Sequence, residues 1–378
     1  MIYLHVPFCR TFCVYCGFYS EIPCAGRDDY GAYAKAVLRE IGQRNLPAER
    51  QGPKTLYIGG GTPSVLPLSV LEDILHGLET AGVDTAFDEF TVEVNPDDVA
   101  RRGRPYIEGL LALGVNRISM GIQSFDDGIL KWMNRRHDAA AAVRAYSLLR
   151  EAGVHNISVD LIFGISHLSG EAWRRTIGRT LSLPGGRPEH ISAYQLSVEE
   201  GSALMKMVEA GRYSEAAEDS CARQYDMLCS ILKSEGYEHY EISNFALPGR
   251  RAVHNSAYWS GASYIGLGPA AHSYDAGSKV RSWNPESLEE YTGTEDFLQS
   301  AGKERLTGGQ VLMEKIMLSL RTSDGILCSD LEGAVGPDKV DEMTANGNLQ
   351  RQGSRLRIPE DRFFVSDSII SDVVRNLK

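Results

Sequence analysis

The stretch Ile2-Tyr3-Leu4-His5-Val6-Pro7-Phe8-Cys9-Arg10-Thr11-Phe12-Cys13-Val14-Tyr15-Cys16 sets a short apolar run directly against three cysteines. Residues 2–8 read as a β-strand, being too short for a helix and rich in apolar and aromatic side chains. The cysteines that follow have the spacing C-x3-C-x2-C, in a loop where neither helix nor sheet keeps three thiolates apart. Thiolates suit zinc or an iron–sulfur centre. Zinc would require a fourth ligand to close its tetrahedron, and the nearby candidate is His5, whose strand position does not obviously face the loop. A cubane held by three thiolates instead leaves one iron open to a non-protein ligand. Spacing alone leaves both readings standing.

Outward from this unit, apolar runs recur at residues 55–58, 90–94, 117–122, 157–163 and 191–196. Between them lie segments with helical spacing, such as Val70, Leu71, Ile74, Leu75 and Leu78, or residues 139–150 closed by Gly153. The alternation implies an α/β fold of βα units around a parallel sheet, either doubly wound or barrel-like. Unusual residues fall just past the strands: the cysteines after the first, Gly59-Gly60-Gly61-Thr62-Pro63 after the second, Asn95-Pro96 after the third. Because parallel sheets bind ligands at the carboxyl ends of their strands, one active site on one rim follows.

Composition excludes several classes. With 43% hydrophobic and 24% charged residues, the chain of 378 residues is neither collagen-like nor disordered. A net charge of −11 opposes nonspecific nucleic-acid binding. No apolar run approaches the ~18 residues of a membrane span. The first eight residues lack the basic start and apolar stretch of a signal peptide, so a cytoplasmic location is expected. There, seven cysteines, an odd number, point to metal or redox chemistry before disulfides. Cys24, Cys221, Cys229 and Cys328 carry no spacing signal.

Beyond residue 201 a long helix is expected at 215–234, then a Tyr- and Gly-rich region over 237–274. Composition shifts near Ala301. From there a helix, two short helices, a small hairpin at 355–365 and a final helix from Asp367 resemble a winged helix. Acidic residues slightly outnumber basic ones in that segment, so no DNA-binding footprint accompanies it. The expected division is 1–235, 236–300 and 301–378.

The motifs YLHVPFC, YIGGGTPS, EVNP, GVNRISMGIQSF, NRRH, DLIFG, HISAYQL, YEISNFA, HNSAYW and YIGLGPAAHSY run from Tyr3 to Tyr274. With the cysteine loop, they make the chain similar to the radical S-adenosylmethionine superfamily, and within it to the oxygen-independent coproporphyrinogen III oxidase-like subfamily. The resemblance implies a partial (β/α)6 TIM-like barrel with a smaller, mostly helical C-terminal domain. It implies a [4Fe–4S] cluster on Cys9, Cys13 and Cys16, whose open iron chelates S-adenosylmethionine. Gly60, Gly61 and Thr62 match the stretch that holds the methionine amino group; unaided, they read as a tight turn. Glu93, Gln123, Arg135 and Asp160 match cofactor positions, as do Tyr3 and Tyr15, which otherwise read as core aromatics.

Two functions share this scaffold: oxidative decarboxylation of coproporphyrinogen III to protoporphyrinogen IX, and heme chaperoning. Phe18 stands where the oxidases carry a fourth cysteine, and the chain starts directly at the first strand, without the oxidases' N-terminal extension. Both features favour a heme chaperone that delivers heme to acceptors such as respiratory enzymes, with the oxidase as the alternative. His254, in His-Asn-Ser-Ala-Tyr-Trp, matches the proposed heme ligand of the chaperones. Without the resemblance it reads as a hydrogen-bonded core histidine among aromatics. A homodimer is left open. One departure from the subfamily is Ile165-Ser166-His167-Leu168, where Leu-Pro-Gly-Gln usually follows the DLIFG motif.

Overall fold

Side-chain alternation along six parallel strands explains the architecture of the computed structural model. These are β1 (Ile2–Val6), β2 (Thr55–Gly60), β3 (Glu89–Val94), β4 (Arg117–Gln123), β5 (Ile157–Phe163) and β6 (His190–Gln195). Each pairs in parallel with the next. On one face Leu4, Ile58, Val92, Met120, Leu161 and Ile191 are buried in a continuous core. On the other face the strands carry Tyr57, Glu93, Arg117, Ser119, Asp160 and Ser192, which line a cavity. A sheet covered on both faces would read as unbroken apolar runs. Here only the face under the helices is dry. The structure describes residues 1–44, 46 and 52–377; Lys378, the end of the expected C-terminal segment, lies outside the described residues.

The helices are α1 (Asp29–Gln43), α2 (Leu68–Thr80), α3 (Pro96–Ala112), α4 (Asp127–Trp132), α5 (Ala139–Glu151) and α6 (Gly170–Leu181). Asp28, Asn95, Asp126, Asp138 and Ser169 open five of them by accepting a backbone N–H of the first turn. Strand order advances from β1 to β6 without reversal, and right-handed crossovers then place every helix on one side. That is barrel winding, but β6 does not return to β1. Beyond β6 lie antiparallel β8 (Asn244–Ala246) and β7 (Glu238–Glu241), while β9 (Ile265–Leu267) runs parallel along the outer side of β1. Three more helices belong to this part: α7 (Ala203–Glu209), α8 (Glu218–Ser234) and α9 (Val253–Trp259). The expected α/β partial barrel is therefore the observed one.

An antiparallel sheet of His272–Asp275, Val280–Trp283 and Gly302–Arg305 follows. After it come helices Gly308–Leu320, Cys328–Val335 and Pro337–Ala345, then Ser366–Arg375 at the end. The hairpin expected at 355–365 is displaced. Its strands are Gln350–Gln352 and Arg355–Arg357, with Gly353 at φ +58 in the turn, and Glu360–Val365 is a 3-10 helix. The first strand is fully exposed and polar, so no apolar alternation marks it. Among the described residues no helix is long and apolar enough to cross a membrane.

A buried carboxylate ties the first helix to the late chain. Glu40 on α1 accepts from Arg44 (Nη2, 2.8 Å), Asn284 (Nδ2, 2.8 Å), the Gly268 amide (3.0 Å) and the Tyr291 hydroxyl (2.7 Å). Glu40→Ala strands those donors in a dry site, and should cost roughly 3–5 kcal/mol, the usual loss on breaking a buried pair. The shift of the urea unfolding midpoint measures it, and an unchanged midpoint would show that the site rehydrates freely.

Candidate functional site

The carboxyl ends of the six strands open into a cavity of about 1000 Å³. All three loop cysteines line it, and so do Tyr15, Gly60, Gly61, Thr62, Glu93, Gln123, Arg135 and Asp160. Tyr3 and His254 do not.

The cysteine loop is held from several sides. The Cys9 amide donates to Glu21 O (2.9 Å), the Val14 amide to Met133 O (3.2 Å), and the Leu204 amide to Val14 O (2.7 Å). His5 bonds the Tyr19 carbonyl through Nε2 (3.0 Å) and the Tyr3 hydroxyl through Nδ1 (3.0 Å). Both of its nitrogens are thus committed to scaffolding, which removes it as a fourth thiolate-site ligand. All seven cysteines are free thiols. Burial pushes the Cys16 thiol up to about 11 and raises Cys9 as well, so any metal must displace protons on binding.

Among the described residues no three His, Cys, Asp or Glu side chains stand close enough to share one metal ion. A cubane makes no such demand, because each thiolate takes a different iron. Arg135 supplies a fixed cation beside the loop: Nη1 lies 3.4 Å from Cys13 Sγ and Nη2 2.6 Å from Gly121 O. The donor set, three thiols and a guanidinium lining one cavity, fits a cluster with an open iron.

Deeper in, Glu93 accepts from Tyr57 Oη (2.7 Å) and the Gly60 amide (3.2 Å). Burial, foremost, pushes its carboxyl up to about 7; the nearby Asp160 adds to this, and the Tyr57 hydrogen bond opposes it. Asp160 is also raised by burial, against hydrogen bonds from Ser192 and Ser119, the latter at 3.2 Å, and the charge of Arg117. Gly60 has φ +105, and a Cβ there would come within 2.6 Å of the His5 ring. The amides of Gly60, Gly61 and Thr62 bond Glu93, Val6 O and Phe8 O respectively. What this loop can offer a ligand is therefore carbonyl oxygen, the partner an ammonium group needs. Tyr3 stands behind this layer, its ring 6.2 Å from that of Tyr57.

His254 stands apart from the cavity lining. On α9 it is 1% exposed, with Nδ1 2.7 Å from Thr55 Oγ1 and Nε2 3.0 Å from Tyr258 Oη. In this conformation it is a hydrogen-bonded core histidine, because α9 packs against β2 and buries its ring beside that of Tyr57 (5.2 Å). The unusual segment Ser166-His167 packs outward, His167 edge-on to Trp132 at 4.7 Å.

Arg117 is the main residue that sequence reasoning missed. It is 2% exposed and lines the cavity floor, with one long contact to Thr91 Oγ1 (3.4 Å) and no partner for Nε. Its signal was present in β4, where Arg117, Ser119, Gly121 and Gln123 alternate with Ile118, Met120 and Ile122. Gly121 belongs to the same set, since a Cβ there would lie 2.8 Å from Gln123 Nε2 and 3.2 Å from Arg135 Nη2.

Comparison with known proteins matches residues 3–179 to the radical SAM superfamily. The heme chaperone HemW of Lactococcus lactis is 32% identical over 330 residues, covering 87% of this chain and 83% of the relative. HemW of Bacillus subtilis is 32% identical over 334 residues, covering 86% and 84%. Among solved structures, the coproporphyrinogen III oxidase HemN of Escherichia coli superposes with a TM-score of 0.81 over 98% of this chain and 89% of its own, at 19% identity. That last likeness concerns the fold.

Proposed function

Since the chain belongs to the radical SAM superfamily and, within it, to the HemW heme-chaperone family, we propose that it binds heme and hands it to acceptor proteins such as respiratory enzymes. The proposed setting is the cytoplasm. Members of the superfamily carry a [4Fe–4S] cluster and S-adenosylmethionine, and we assign the cluster to Cys9, Cys13 and Cys16. When bound, the pair supplies one-electron chemistry at the sulfonium; the protein supplies position and charge. Arg135 keeps a cation beside Cys13, Tyr57 and the Gly60 amide orient Glu93, and Ser119 orients Asp160.

The observation that carries the chaperone reading over the oxidase is Phe18. It stands in the place of the oxidases' fourth cysteine and is 71% exposed at the cavity mouth, an apolar face offered to solvent. Such a face suits a flat tetrapyrrole ring. As axial ligand we propose His254, whose neutral imidazole is a common ligand of heme iron. Its ring would first have to leave Thr55 and Tyr258, so ligation requires α9 to turn outward.

Heme titration of purified protein should give a Soret band. His254→Ala should shift that band or weaken binding while the cluster signal persists, since the two centres use separate ligands. Coproporphyrinogen III should stay unconverted in the presence of reductant and S-adenosylmethionine. Accumulating protoporphyrinogen would make the protein an oxidase instead, and an unaltered Soret band in the variant would remove His254 as ligand.

A further inference from the structure

Asn134 sits at φ +60, in the left-handed region, just past α4. Glycine occupies that region without steric cost, and asparagine is among the few other residues that tolerate it. A side chain is present here all the same, and among the described residues it has one partner: Nδ2 donates to the Phe12 carbonyl at 2.7 Å. The preceding residue completes the grip, Met133 O accepting from the Val14 amide at 3.2 Å. The two peptide groups that flank Cys13 are therefore both bonded to one dipeptide, Met133-Asn134. The next residue, Arg135, touches the Cys13 thiol itself at 3.4 Å. Cys9 is fixed by other means, its thiol 3.3 Å from Thr62 Oγ1 and its amide on Glu21 O.

We propose that Asn134 is a positioning residue for the cluster, fixing the middle thiolate, Cys13, through the Phe12 carbonyl. This rests on the reading that the three cysteines hold iron and sulfide. The left-handed turn aims the Asn134 amide back across the loop, so the segment after α4 prearranges Cys13 before iron arrives. Loss of the bond leaves all three thiols in place but lets the Phe12–Cys13 peptide rotate.

Asn134→Gly separates side chain from backbone, because glycine keeps the left-handed turn at no steric cost and deletes only the donor. In metal-free protein, hydrogen exchange of the Val14 amide should become faster than in the parent. In reconstituted protein, iron loss to a chelator should speed up about fivefold, the factor carried by a hydrogen bond of ordinary net strength. The electron paramagnetic resonance g-values of the reduced cluster should move too. Asn134→Gln, whose longer side chain can still donate, should recover part of each. Parent-like exchange at Val14 and parent-like iron loss in Asn134→Gly would overturn the proposal. A parent protein that takes up no iron would instead strike the cluster reading, while the Val14 exchange would still decide the role of Asn134 in the loop.

Discussion

Anaerobically reconstituted protein should hold about four irons and four sulfides per chain, and changing Cys9, Cys13 and Cys16 together to serine should take both to zero. The effect is all or none because a hydroxyl does not replace a thiolate on soft iron, and the fold offers no substitute: His5 is tied to Tyr3 and Tyr19. Cys24 provides the control. It is exposed, and its backbone amide bonds Asp29 Oδ2 (2.7 Å) at the start of α1, so Cys24→Ser should retain full iron content. Equal loss in that variant would overturn the ligand assignment.

Binding of S-adenosylmethionine to the reconstituted protein should weaken roughly 10–100-fold in Glu93→Ala, the range for a hydrogen bond to a charged group. Asp160→Ala should also weaken it, and the cluster should survive in both. A pH dependence follows from the raised pKa. Below about 7 the buried Glu93 carboxyl keeps its proton, and above it the carboxylate is free to accept from a cationic group. Affinity should therefore rise from pH 6 to 8 and level off, and Glu93→Gln should flatten that slope. Calorimetry measures all three, and unchanged affinity in both alanine variants would remove these residues from the site.

The strands were legible because each carries an apolar row of its own, and the site rim was legible because cysteines and glycines interrupt those rows at their ends. The cavity floor was harder to read. Arg117 opens β4 in step with Ser119, Gly121 and Gln123, but a charged residue at the start of a strand reads as easily as a solvated end, and its register beside Thr91 places it on the cavity side. His254 illustrates a different limit, since its motif gives residue types and leaves α9's packing against β2 to the tertiary structure. The displaced hairpin failed for want of signal, its first strand being wholly polar.

The pairing of β9 with β1 has a consequence during synthesis. β1 leaves the ribosome well before β9, and its outer edge stays unpaired until β9 follows about 260 residues later, on the order of ten to fifty seconds at ~5–20 residues per second. Over that interval the nascent chain shows a bare apolar strand edge, a hazard for chain-to-chain pairing, with the cysteine loop hanging from its end. Gly268 just past β9, clasped by Glu40, then locks the edge shut.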